Sequence, residues 1–305
     1  MQHVKDSKAT FYTCSCFSTD NIFLEEFKLH VRFLSEHQFR SDYQAVLRNL
    51  GCSTDTEFKD ILKKIEKEVE RRRSLGVKSA ERAAAIKEIY KPLHDHVYLL
   101  HESYMAPEFK QMVDYCRSDE ASKEGLLSLM QTEAAARVFR FPVFKKVFCD
   151  ELIEEMEHFE QSRSPKGRPN TMNNYGILLN ELGFDEGFII PLREQYLQPL
   201  TSLLYHDCGG CYLDSHKAFM VPLSETACTE VEHKVTEGIL HRGQHMHGAL
   251  PISSGQRWNL IVWMRASQER NKLCPMCNKM PTLVEGEGFA DGFTSDIGMS
   301  LLQNV

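Results

Sequence analysis

The chain has 305 residues, 42% hydrophobic, 26% charged and 10% aromatic; this suits a soluble globular protein and excludes disorder, coiled coil and any apolar run long enough to span a bilayer. The net charge is −7 and neither half is basic, which argues against a nucleic-acid partner. Ten cysteines are too few for a disulfide scaffold, and the start MQHVKDSKATFYTCSC lacks the apolar stretch of a secretory signal, so reduced thiols and a cytoplasmic or nuclear location are expected.

Residues 1–136 read as a mostly helical region. Ser53, Thr54 and Asp55 supply helix-start chemistry, and Phe58, Ile61, Leu62, Ile65 and Val69 recur at helical steps until Gly76 closes the run. Weaker helical patterns cover Ala83 to Leu100, Phe109 to Cys116 and Glu124 to Ala136. At Arg137 the character changes. RVFRFPVF reads as a strand, and CDELIEEMEHFEQ sets Leu152, Ile153, Met156 and Phe159 on one helical face. SRSPKGRPNTMNN is a polar, basic loop. Phe188, Ile189, Leu192, Tyr196, Leu200 and Leu203 trace a further amphipathic helix, with Pro191 in its first turn and Pro199 at a kink. From Leu213 onward LDSHKAFMV, EGILHR and QRWNLIVWMR read as strands, the last apolar on both faces and so expected in a sheet core. A cysteine-containing extension, 269–305, follows. The fold class is α+β.

The most specific local feature is HGALPISSGQRWNLIVWMR, from His247 to Arg265. An imidazole and, ten positions on, the guanidinium of Arg257 opening a strand form a pair suited to a metal and to a carboxylate held by a bidentate fork. The spacing H-x3-P-[IV]-x2-G-x-R before a β-rich strand resembles the end of the double-stranded β-helix, or jelly-roll, of iron(II)- and 2-oxoglutarate-dependent dioxygenases of the prolyl-hydroxylase type. That pattern covers about residues 137 to 268.

The resemblance implies hydroxylation of a C–H bond, in a protein or peptide, with conversion of 2-oxoglutarate to succinate and carbon dioxide. It implies Fe(II), 2-oxoglutarate and ascorbate as cofactors, His247 as the distal metal ligand and Arg257 as the anchor of the far carboxylate of 2-oxoglutarate. The family pattern also demands a His-x-Asp pair after LDSHKAFM. Among the thirteen histidines only His158 has an acid two positions later, Glu160, and that pair lies in a helical stretch before the barrel. Only 26 residues separate Met220 from His247. That is too short for the missing strands, so an internal segment is expected to be absent near 220/221, leaving the β-helix incomplete and the chain inactive.

Two other readings stand beside this one: a non-catalytic binding module that keeps Arg257, and a structural zinc protein in which the CxxC pairs Cys208/Cys211 and Cys274/Cys277 share an ion. The 62 residues between these pairs weigh against a compact ribbon. Cys14 and Cys16 read as mere neighbours. His241, His245 and His247 form a local histidine cluster.

Overall fold

The computed structural model describes residues 10–132, 136–169, 176–223, 234–243, 245, 255–274 and 276–285. In chain order, β1 (Thr10–Thr13) leads to a single turn, α1 (Cys16–Thr19), and then a hairpin of β2 (Ile22–Leu24) and β3 (Leu29–Val31). Helices α2 (Glu36–Asn49), α3 (Asp55–Arg73), α4 (Leu75–Ile89), α5 (Pro107–Cys116) and α6 (Lys123–Ser128) follow. Next come β4 (Gln131–Thr132), β5 (Phe139–Pro142), α7 (Lys146–Gln161), β6 (Ile177–Leu178) and α8 (Leu179–Leu182). Two π-helical turns, Asp185–Ile189 and Leu192–Leu197, run into α9 (Gln198–Leu204). The remainder is β7 (Ser215–Leu223), β8 (Glu237–Leu240), β9 (Arg257–Arg265), α10 (Ser267–Arg270) and β10 (Thr282–Glu285).

Helix α3 forms as its sequence dictates. The Thr54 hydroxyl accepts the Glu57 amide and the Glu57 carboxylate accepts the Thr54 amide, a reciprocal cap, and Phe58, Ile61, Leu62, Ile65 and Val69 are buried. It ends at Arg73, ahead of Gly76, which is absorbed into α4. Helix α4 stops at Ile89, two residues before Lys91-Pro92, because the position preceding a proline disfavours helical backbone. The expected helix from Glu124 shortens to α6 and gives way to β4, while residues 133–135 lie outside the described ones. The segment from Phe188 to Leu203 is not one α-helix. It widens into π turns around Pro191, and Pro199 sits in the first turn of α9, where its missing amide costs nothing.

The contacts divide the chain into two compact units, one made of 1–80 with 270–305 and the other of 81–269. The sequence division at 136 and 268 follows composition rather than contacts. In the first unit, α2 and α3 pack Phe39, Leu47, Phe58 and Ile65 against Ile22, Leu24 and Val31 of the hairpin, and β1 pairs antiparallel with β10. Three short strands thus interrupt the helical character expected before residue 50.

In the second unit, Phe109, Phe148, Met156, Phe184, Phe188 and Leu200 centre an aromatic-rich core. Two antiparallel three-stranded sheets, ordered β4-β5-β8 and β6-β7-β9, belong to this unit. Among the described residues no sheet closes on itself, so the architecture is α+β with separate small sheets rather than a complete jelly-roll. Strand β9 differs from expectation. Among the described residues it is paired on one side only, by β7, and most of its side chains stay partly exposed, with Trp263 at 39% exposure. Apolar character on both faces is not enough to bury a strand that has one neighbour.

Candidate functional site

The longest ladder in the chain joins β7 and β9 in nine antiparallel pairs, from Ser215 with Arg265 to Leu223 with Arg257. Strand β7 runs unbroken through Met220 and Val221, where the sequence places the missing segment, and those residues pair with Leu260 and Asn259. Beneath it, Phe219 is fully buried with Leu178 and Val221, and its ring meets Trp263 edge-on at 5.1 Å. Arg257 opens β9 at the far end of this ladder, half-buried. His247 lies outside the described residues, as do Gln244, Met246 and 248–254. The ring centroids of His241 and His245 stand 6.5 Å apart, and His241 Nδ1 donates to the carbonyl of Arg242.

The sheet carries a buried ionic group that the sequence reading missed. Arg193, from the second π turn, donates through Nη1 to His216 Nδ1 at 2.8 Å, and through Nη2 to Glu194 at 2.5 Å. On the other side of the ring, His216 Nε2 lies 3.3 Å from Asp185. A guanidinium can only donate, so Nδ1 must accept. His216 therefore sits between a cation and an anion, with Nδ1 taken by Arg193 and Nε2 near Asp185 but without a hydrogen-bond partner. Its signal was present in the motif LDSHKAF, where a histidine alternates with the buried Ala218 and Met220.

His158 and Glu160 both sit on α7, and residues two apart on a helix point about 200° from each other, so they cannot meet at one metal. The His158 ring is engaged instead by Tyr90, whose hydroxyl lies 2.9 Å from Nδ1. The same hydroxyl donates to Glu155, a fully buried carboxylate that also accepts from Tyr98 and from the amides of Leu93 and His94. This network is saturated and structural. The basic loop folds back in its described part, with Lys166 donating to the carbonyls of Ser162 and Ser164 and lying over the Phe159 ring.

Cys274 and Cys277 do gather with another pair, but that pair is Cys14 and Cys16, which had read as mere neighbours. The four sulfurs lie within 4.8 Å of one another. Cys211 instead faces His206 Nδ1 at 2.9 Å, and among the described residues Cys208 and Cys211 belong to no such group. Burial pushes the Cys14 and Cys16 thiols up. Burial works the same way on Cys274, yet the amides of Cys277 and Met276 and the Cys16 thiol outweigh it and bring that thiol down to about 7.

A family model, the OGFOD2-like domain, matches residues 86–210. Over 337 aligned positions the chain is 63% identical to 2-oxoglutarate and iron-dependent oxygenase domain-containing protein 2 of Danio rerio, covering 97% of this chain and 98% of that protein. The chain belongs to this family. It is also 50% identical to the Xenopus tropicalis protein of that name over 326 positions, covering 93% of each chain, and 46% identical to the Homo sapiens one over 330 positions, covering 94% of each. Each alignment is longer than the 305 residues present here, so each of these oxygenase-domain relatives carries internal residues that have no counterpart in this chain.

Among the described residues, no set of histidine and carboxylate donors fits the iron centre that the family name implies. No histidine on a strand has an acid two positions on, and the one pair of that spacing points two ways from a helix. His216 Nδ1 is taken by Arg193. Among the described residues, the four cysteines are the one group of three or more donors close enough to hold an ion.

Proposed function

We propose that this chain is a form of the oxygenase-domain family that does not turn over and serves instead as a binding module for a protein or peptide. The observation that carries the reading is the lack of any strand-borne His-x-Asp or His-x-Glu pair in a chain whose relatives align over more positions than it contains. The absent segment falls between Met220 and Val221, and the sheets β4-β5-β8 and β6-β7-β9 are what remains of the family's double-stranded β-helix. A full-length member would hydroxylate a C–H bond and release succinate and carbon dioxide. Iron(II) stands near the weak end of the divalent series, so His247 without an anionic partner retains too little of it for catalysis, and ascorbate has no resident iron to keep reduced. Arg257 keeps its place at the start of β9 and supports the carboxylate-binding part of the module.

The test is an anaerobic titration of the purified full chain with iron(II) and 2-oxoglutarate, followed by a succinate assay in air. The expected result is no metal-to-ligand charge-transfer band and succinate at the protein-free level. A band that saturates with iron overturns the reading. Arg257→Ala should weaken 2-oxoglutarate binding by calorimetry about tenfold, the scale of one lost bidentate contact. Unchanged affinity would remove Arg257 from the module.

A further inference from the structure

The four-cysteine cluster lies outside everything the oxygenase reading uses. Cys14 and Cys16 follow β1 directly, and Cys274 and Cys277 precede β10, so the antiparallel pairing of β1 with β10 brings both pairs to the same end of one ladder. Cys14 Sγ lies 3.4 Å from Cys277 Sγ, and Cys16 Sγ lies 3.5 Å from Cys274 Sγ. Four sulfurs at about 2.3 Å from a tetrahedral zinc stand about 3.8 Å apart, so the cluster needs only small adjustments to close around an ion. The same separations are far longer than the roughly 2.05 Å of a disulfide.

The local backbone has the form of a metal-binding knuckle. Asn278 N–H donates to the Cys274 carbonyl at 2.8 Å, Cys274 N–H donates to the Lys279 carbonyl at 2.7 Å, and Asn278 takes a left-handed φ of 61°, which asparagine tolerates. The backbone amides of Met276 and Cys277 are aimed at the Cys274 sulfur. The buried side chains of this small core are Cys14, Cys16 and Cys274, with Cys277 and Phe17 partly buried beside them. So few apolar atoms cannot hold two chain ends together, which is the situation that structural metals resolve in small cores. Arg270 sits within electrostatic reach of Cys274 and Cys16 and offsets part of the negative charge that a tetrathiolate site carries. A surface groove of ≈ 490 Å³, lined by Thr13, Cys14, Phe17, Lys279 and Thr282 among others, gives an ion its route to Cys14.

We propose that Cys14, Cys16, Cys274 and Cys277 bind one zinc ion as a closed structural site that clasps β1 to β10. Binding replaces the thiol protons, which pass to solvent, and no electron moves. All four coordination positions are filled by protein, so the site holds structure and offers no position to a substrate.

The full chain, purified from zinc-supplemented cells without chelator or a metal-affinity column, should carry one zinc per chain by elemental analysis. Cobalt exchanged into it should give the intense d–d absorption of a tetrahedral thiolate site. Cys277→Ser should lose the metal, and Cys211→Ser should keep it. Less than about a tenth of an equivalent in the unaltered chain overturns the proposal, since structural zinc sites of this type bind with about 10 kcal/mol or more. So do stoichiometric iron in place of zinc, an octahedral cobalt spectrum, or equal loss of zinc in Cys211→Ser. The stoichiometry and the cobalt spectrum need no variant, so a Cys277→Ser chain that fails to fold leaves the test intact. The iron titration reads different residues, and the two proposals can fail separately.

Discussion

Arg72 shows how much one side chain settles in the first unit. It is buried on α3 and donates to the carbonyls of Phe17, Asp20 and Asn21, while its Nε lies 2.9 Å from Glu68. Those carbonyls belong to the stretch between Cys16 and the hairpin, so the guanidinium fixes the path that leaves the cysteines. Arg72→Met should cost about 3 kcal/mol or more in urea unfolding, because three carbonyls lose their donor together and Glu68 keeps only Arg71. Glu68 makes this stability depend on pH. Burial raises its carboxyl, but Arg71 and Arg72 outweigh that and hold it at about 2. The folded value lies below the unfolded one of about 4.3, so the contribution is complete above that pH and fades as pH falls toward 2. Glu68→Gln should therefore lower stability at pH 7 and match the parent near pH 2, and a deficit constant across the range would contradict this.

At the scale of elements, the sheet β6-β7-β9 depends on Phe219. Phe219→Ala empties a fully buried site between Leu178, Val221 and Trp263, and should cost about 3 to 5 kcal/mol in chemical unfolding of the second unit. A loss under about 1 kcal/mol would show that the sheet repacks freely. Helices α3 and α7 were legible in the sequence because their signals are local: a cap at Thr54, and apolar residues three and four apart ending at Val69 and Phe159. The β7, β8 and β9 strands were legible by composition. Pairing was not, because a strand's alternation says nothing of its partner, and burial follows the partner; that is why β9 was expected in a core and lies at an edge among the described residues. The cysteine cluster was hidden for the same reason. Cys16 and Cys274 are 258 positions apart, and no window of sequence holds both. The nearer pair, Cys208 and Cys211, was the wrong candidate because proximity in sequence stood in for proximity in space. The oxygenase signature from His247 to Arg257 was the reverse case: plain in the sequence, with its histidine outside the described residues.

For the whole molecule, two compact units with separate cores predict separate responses. Removing zinc with a strong chelator should lower the unfolding temperature of the unit built from 1–80 and 270–305, and leave the transition of 81–269 where it was. Calorimetry with and without chelator checks this, and an equal shift of both transitions would contradict it. The internal gap belongs to the same scale. A transcript survey should find a longer form with a His-x-Asp strand between Met220 and Val221, and that form should bind iron.

The pairing of β1 with β10 also sets an order of events as the chain is made. The second unit is continuous in sequence and can fold once residue 269 clears the ribosome, whereas the first must wait for its own far end. Until Thr282 to Glu285 arrive, β1 is a bare edge with nothing to pair with, and Cys14 and Cys16 are two thiols without their mates. Cys16 and Cys274 are 258 positions apart, so the earlier pair of thiols waits through the synthesis of the whole second unit before its partners exist.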